Sequence, residues 1–102
     1  MNFGLSESDF ELLKKLVIKP LQNNSVCVYI FGSRATGKNH PFSDVDLLLE
    51  PLKPGTPSSA LLSEIKEAIE ESRFPVKVEL VLLDQLAQSY RERVLLEKKK
   101  IS

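Results

Sequence analysis

Three carboxylates and one Gly-Ser pair carry the chemistry that this chain offers. Asp44 and Asp46 stand two residues apart in DVDLLLE, at the head of an apolar run. If that run is a strand, both side chains leave the same face. Their Cα atoms then lie ~6.6 Å apart, at ~3.3 Å per residue. Carboxylates that close repel and desolvate one another, and the cost needs an offset. A divalent cation supplies it: hard oxygens at this spacing suit Mg2+ or Mn2+, and they can bridge two ions about 3.5–4 Å apart. The plainer reading makes Asp44 a turn residue following Ser43.

A third acid, Glu79, interrupts VKVELVLL, where Lys77, Glu79 and Val81 share one face of a strand and Val76, Val78, Leu80 and Leu82 the other. A carboxylate in so apolar a strand calls for a partner. If the two strands are neighbours, Glu79 completes a three-carboxylate cluster; an ion pair with Lys77 or Arg73 is the simpler alternative. Upstream, VCVYIFGS ends in Gly32 and Ser33. Glycine lets the backbone approach a phosphate closely, and serine adds a hydroxyl and an amide for the same anion. Arg34 and Lys38, in the loop that follows, are expected to meet phosphate as well. Gly32 to Lys38 also spells G-x-x-x-x-G-K, close to a P-loop. Asn39 stands where a metal-binding hydroxyl is needed, however, and His40-Pro41 replaces the long phosphate-binding helix.

The elements that must position these groups follow from periodicity. Ser6 and Ser8 offer helix caps, and Phe10, Leu13, Leu16 and Val17 recur at helical spacing, with Pro20 predicted to end the helix. Residues 25–31 form an apolar, β-branched strand predicted to be central in a sheet. A Gly- and Pro-punctuated loop leads to the DVDLLLE strand. After a loop at 51–57, Ser58 or Ser59 caps a helix whose stripe is Ala60, Leu61, Ile65, Ala68 and Ile69. The strand at 76–83 follows, then a last helix capped by Asp84 and carrying Leu86, Tyr90 and Val94; the lysines at 98–100 are predicted to be a solvated tail. The order α-β-β-α-β-α, with a hairpin-like join and then a helical crossover, implies an α/β (α+β) fold: a small mixed sheet with helices packed against it.

At 102 residues the chain is expected to form a single domain over 1–102. Lys and Arg total 14 and Asp and Glu total 14, a balance that argues against a nucleic-acid-coating protein. One cysteine, Cys27, leaves no internal disulfide. The N-terminus lacks the pattern of a signal peptide, and apolar runs of about six residues fall far short of the ~18–20 that span a bilayer. A cytoplasmic protein without membrane contact is the expectation.

FGSRATG, FSDVDLLLE and VELVLLDQL together resemble the minimal nucleotidyltransferase domains of the DNA polymerase β-like superfamily. There a Gly-Ser ends one strand, Asp-x-Asp starts the next, and a third acid lies on a later strand. The resemblance implies Gly32 and Ser33 on a nucleoside triphosphate, Asp44 and Asp46 on the metals, and Glu79 as third ligand or general base. It implies transfer of a nucleoside monophosphate to an acceptor hydroxyl, with Mg2+ or Mn2+. It also implies a separate all-helical partner of the HEPN or substrate-binding kind, or a role as an antitoxin-like subunit. Two positions depart from the pattern: Thr36 stands where an arginine is usual, and Glu79 where an aspartate is usual. A chain this short has residues for a nucleotide site but not for an acceptor wall. Leu86, Tyr90, Val94 and Leu95 or Leu96 of the last helix are therefore the expected partner contact, with a homodimer as the alternative.

Overall fold

In the computed structural model, which describes residues 2–101, the Ser6 hydroxyl accepts the Asp9 amide at 3.1 Å and starts helix α1, Glu7–Leu13. Pro20 does not end this helix. The spiral widens into a π turn at Lys14–Ile18 and continues as α2, Lys19–Asn23, with Pro20 in its first turn. Inside a regular α-helix the proline ring would meet the carbonyl four residues back. Here the Lys19 amide reaches the Lys14 carbonyl, five residues back, and the wider turn makes room for the ring. Leu13, Val17, Ile18 and Leu21 can thus form one buried stripe along the whole length.

Strand β1, Val26–Phe31, pairs antiparallel with β2, Val45–Pro51, and β2 pairs parallel with β3, Val78–Leu82. The parallel join needs a crossover, supplied by the helix-free approach at 52–58 and then helix α4, Ser59–Glu71, whose cap Ser58 accepts the Leu61 amide. Between β1 and β2 lies a single short helix, α3, Ser33–Thr36. The sheet order is β3-β2-β1-β4, where β4 is Lys99–Lys100. This is the mixed sheet with packed helices that the sequence predicts.

The two faces of the sheet are covered unequally. One carries Val26, Val28, Ile30, Val45, Leu47 and Leu49 against Leu13, Val17, Leu21 and Ile65, which is the main core. The other carries Phe31, Leu48, Tyr29 and Val81 against Val94 of helix α5, Gln88–Glu97, with Leu83 and Leu86 beside it. In α4 the buried stripe uses Leu62 where Ala60 was expected; Ala60 is exposed.

Two further expectations about the C-terminal part are corrected. Asp84 does not cap the last helix: residues Leu83–Gln85 form a 3-10 turn, and α5 begins at Gln88. Arg91 holds this turn by donating to the carbonyls of Leu86 and Asp84. The lysine run is not a loose tail either. Lys98 lies 2.6 Å from Glu50 and over the Tyr29 ring, Lys99 and Lys100 pair with Ile30 and Tyr29, and the Ile101 amide donates to Val28. Ile101 packs on the main core.

Ile101→Ser should therefore lower unfolding free energy by about 1–2 kcal/mol, as partial loss of a buried aliphatic side chain does. Leu96→Ser, at a residue 88% exposed, should change it by less than about 0.5 kcal/mol. Urea denaturation followed by circular dichroism measures both. Equal shifts for the two variants would mean that Ile101 is not anchored.

Candidate active site

The pairing register sets the acids side by side. Asp46 is the Cα partner of Glu79 across the parallel pair and of Phe31 across the antiparallel pair. Residues directly opposite share a face, so Phe31, Asp46 and Glu79 make one row. The next row, Tyr29, Leu48 and Val81, is the apolar footing of α5. Phe31, in the acids' own row, also packs into that cluster, so the acids border the part of the sheet that α5 covers. Asp44 precedes β2 and is exposed at its mouth, where the Val45 amide donates to the Lys77 carbonyl at 2.8 Å.

Gly32 closes the site from the side of β1. Its φ is +78°, and a Cβ there would stand 2.6 Å from Oδ2 of Asp46. Glycine is needed both for the backbone angle and for the carboxylate's room. Ser33 then starts α3, and the Gly32 carbonyl accepts the amides of Ala35 and Thr36. The amides of Ser33 and Arg34 open the helix and so have no carbonyl behind them within it. Gly37, left-handed, ends it, and Lys38 follows, exposed. A four-residue helix cannot serve as the long helix of a P-loop, so this part of the alternative reading falls.

Electrostatics distinguish the acids. Desolvation raises the pKa of Asp46 above the ordinary carboxylate range; the charges of Asp44 and Glu79 push the same way, and Lys77 opposes them. Glu79 is ion-paired: Nζ of Lys77 lies 2.7 Å from its Oε1. That hydrogen bond, and then the charge of Glu79, raise the pKa of Lys77. Both side chains are well exposed, so the pair contributes little to stability. Among the described residues, no three His, Cys, Asp or Glu side chains stand close enough together to hold a metal ion. Glu79 is Asp46's neighbour in the row yet turned toward Lys77. The donors that could hold a hard divalent cation are Asp44 and Asp46, whose like charges raise the Asp46 pKa after desolvation.

Arg34 does not join Ser33 and Lys38 on the open side. It is only 3% exposed, and its guanidinium donates to the carbonyls of Ser43, Phe3 and Pro41. A phosphate could reach it only by displacing those bonds, and in this structure Arg34 ties the loop together instead. Lys77 enters the site as the ion partner of Glu79, and Ser43, buried next to Asp44 in the chain, is a further residue that local sequence pattern does not mark. The position of Lys77, two residues before Glu79 on one strand face, was the available signal. A cleft of about 440 Å³ runs along β3 between Lys66, Glu70, Lys77 and Glu79. A second cavity, about 570 Å³, lies at the other end of β2 among Leu49, Leu83, Arg91 and Leu95, and Asp44, Asp46 and Glu79 do not line it.

Comparison with known proteins agrees with this fold. Residues 14–102 match the family described as polymerase beta, nucleotidyltransferase. A solved structure of a toxin–antitoxin with AMP-PNP superposes with a TM-score of 0.63 at 24% identity, over 87% of this chain and 72% of that one. A protein described as a minimal nucleotidyltransferase gives 0.61 at 24% identity, over 99% and 97%. A nucleotidyltransferase-like protein from Sulfolobus solfataricus gives 0.51 at 24% identity, over 95% and 88%. At that identity the structures speak for the fold. A comparison with curated protein sequences returned no match.

Two predictions follow from the crowding at Asp46. Its folded-state pKa lies above the unfolded one, so the folded chain binds the more protons between the two values, and stability falls as pH rises through that window. Asp46→Asn removes the penalty. It should be more stable than wild type at pH 7 and no more stable below about pH 4, near the unfolded carboxylate pKa; urea midpoints across pH measure this. Gly32→Ala should cost at least about 1–2 kcal/mol from its positive φ alone. A melt unchanged by the added methyl would contradict the close approach of Asp46.

Proposed function

Because the chain belongs to the polymerase β nucleotidyltransferase family, we propose that it binds a nucleoside triphosphate with Mg2+ or Mn2+ and transfers the nucleoside monophosphate to an acceptor hydroxyl. The observation that carries this reading is the adjacency of the Gly32–Ser33 turn to Asp46, with Asp44 at the same mouth. An anion held by the Ser33 amide and hydroxyl, with Lys38 above it, would lie against the acid pair. Asp44 and Asp46 would hold one or two divalent cations, and Glu79, once released from Lys77, would be third ligand or general base. A cation bound there would supply positive charge to the α-phosphate and to the leaving pyrophosphate. The acceptor oxygen bonds to the α-phosphorus, the bond to the β-phosphate oxygen breaks, pyrophosphate leaves, and the hydroxyl proton passes to Glu79. In-line approach needs both substrates held at once.

The acceptor side is proposed to come from a separate helical protein of the HEPN or substrate-binding kind. The structural neighbour that is a toxin–antitoxin with AMP-PNP supports both a nucleotide and a partner. Tyr90, Leu95 and Leu96 of α5 are 50%, 42% and 88% exposed, which keeps the partner-facing reading of this helix open, while Val94 is spent on the core. An antitoxin-like binding subunit with little or no turnover is the second reading, favoured by the ion pair with Lys77 that occupies Glu79. No helix among the described residues is long and apolar enough to cross a membrane; the protein is proposed to act as a single domain in the cytoplasm.

Calorimetric titration with Mg2+ and nucleoside triphosphates should give saturable binding to the wild type. The Asp44→Asn, Asp46→Asn double variant should bind at least tenfold more weakly. Equal binding by the double variant would overturn the assignment of the acid pair. Binding without release of pyrophosphate, even in the presence of the co-encoded neighbour, would select the binding-subunit reading.

A further inference from the structure

The described fold buries two polar residues, Arg34 and Ser43, and they hold each other. Nε and Nη2 of Arg34 both donate to the Ser43 carbonyl, at 3.1 and 2.9 Å. Ser43 is itself fixed in a turn: its amide donates to the His40 carbonyl and its hydroxyl accepts the His40 amide. The Ser43 carbonyl belongs to the peptide group that joins Ser43 to Asp44. One residue on, the Val45 amide is fixed by the Lys77 carbonyl. Asp44 is therefore suspended between two pinned peptide groups, although its own side chain is exposed.

The other end of the guanidinium faces the N-terminal segment. Nη1 donates to the Phe3 carbonyl at 3.0 Å, and Nη2 reaches the Pro41 carbonyl. Gly4, with φ of +81°, is packed so tightly that a Cβ would collide with Nδ2 of Asn39 and stand 3.0 Å from Nη1 of Arg34. A buried guanidinium without a carboxylate in contact is tolerated only if its donors are met, and here three neutral carbonyls from two separate segments meet them. A lysine has no planar fork to grip one carbonyl with two parallel donors.

We infer that Arg34 is a positioning residue: it sets the place of Asp44 through the Ser43–Asp44 peptide, with Phe3 and Gly4 as its counter-support. The inference rests on the reading of Asp44 as a cation ligand. Groups that orient a metal ligand typically change affinity 10–100-fold when lost. Arg34→Lys should weaken Mn2+ binding, read by electron paramagnetic resonance, by that factor. It should also speed amide hydrogen exchange at Asp44 and Val45 in protein free of metal and nucleotide. In an Asp44→Asn background the same substitution should cost no further Mn2+ affinity, because contacts that act through one group are not additive.

Equal losses in the two backgrounds would overturn the inference. So would a loss of metal-free nucleotide binding with Mn2+ affinity unchanged, since that is the signature of a direct phosphate contact. Should the wild type bind no Mn2+, the metal reading of the site fails by itself, and exchange at Asp44 still decides the role of Arg34. If Arg34→Lys does not fold, Gly4→Ala presses on the same junction while keeping the charge. It should speed exchange at Asp44 and Val45 likewise, and unchanged exchange there would count against the proposal.

Discussion

Like charges placed side by side on a sheet must keep contact with water or with a cation, and most of this architecture follows from that constraint. Asp46 and Glu79 are register partners on neighbouring strands, with Asp44 at the same end. A helix laid over that row would strip the remaining water from carboxylates that already repel. The helical cover on this face is accordingly one ten-residue helix, α5, standing on Tyr29, Leu48 and Val81 and on Phe31, the apolar member of the acid row. The opposite face, apolar along β1, β2 and β3, takes the long π-interrupted helix and α4 and provides the main core. The asymmetry of the two faces is the price of an open acid row.

The same constraint explains the glycine and the lysine beside the acids. Gly32 leaves the Asp46 carboxylate a space that any side chain would fill. Lys77 relieves part of the repulsion, but it does so by binding Glu79 and not Asp46. The pair is exposed and so easily broken. The result is a site with one acid neutralised and one left with a raised proton affinity. That imbalance is what a cation, or a proton, would correct.

How far the sequence disclosed this depends on the range of the interaction. Alternation in VKVELVLL and the apolar run after Asp46 fixed two strands and the faces they present, because period-two patterning is local. The adjacency of Asp46 and Glu79 then followed from a single assumption, that the strands are neighbours. Where the deciding contacts are distant, local signals misled. Pro20 reads as a stop because a π turn leaves no mark in composition. The lysines at 98–100 read as a tail because Glu50, Tyr29 and Val28, which anchor that segment, lie about fifty to seventy residues upstream. Arg34 read as a phosphate contact because its neighbours in sequence form an anion-binding turn. Its partners in the fold are backbone carbonyls, which no side-chain pattern announces.

The fate of Arg34 also bears on why the loop from α3 to β2 is ordered at all. That stretch holds Lys38, His40 and Phe42, all exposed, and contributes almost no apolar area to the core. Loops so constituted are ordinarily mobile. Here a single buried cation takes the place of a hydrophobic anchor, drawing the carbonyls of Pro41 and Ser43 inward and joining them to Phe3. Apolar packing could have fixed the loop equally well, but it would have brought hydrocarbon beside Asp44 and desolvated it further. A guanidinium fixes the backbone while adding positive charge near an acid that sits among other acids. Its charge and that of Asp44 attract, so the residue that holds the loop also lowers the electrostatic cost of the group that the loop delivers.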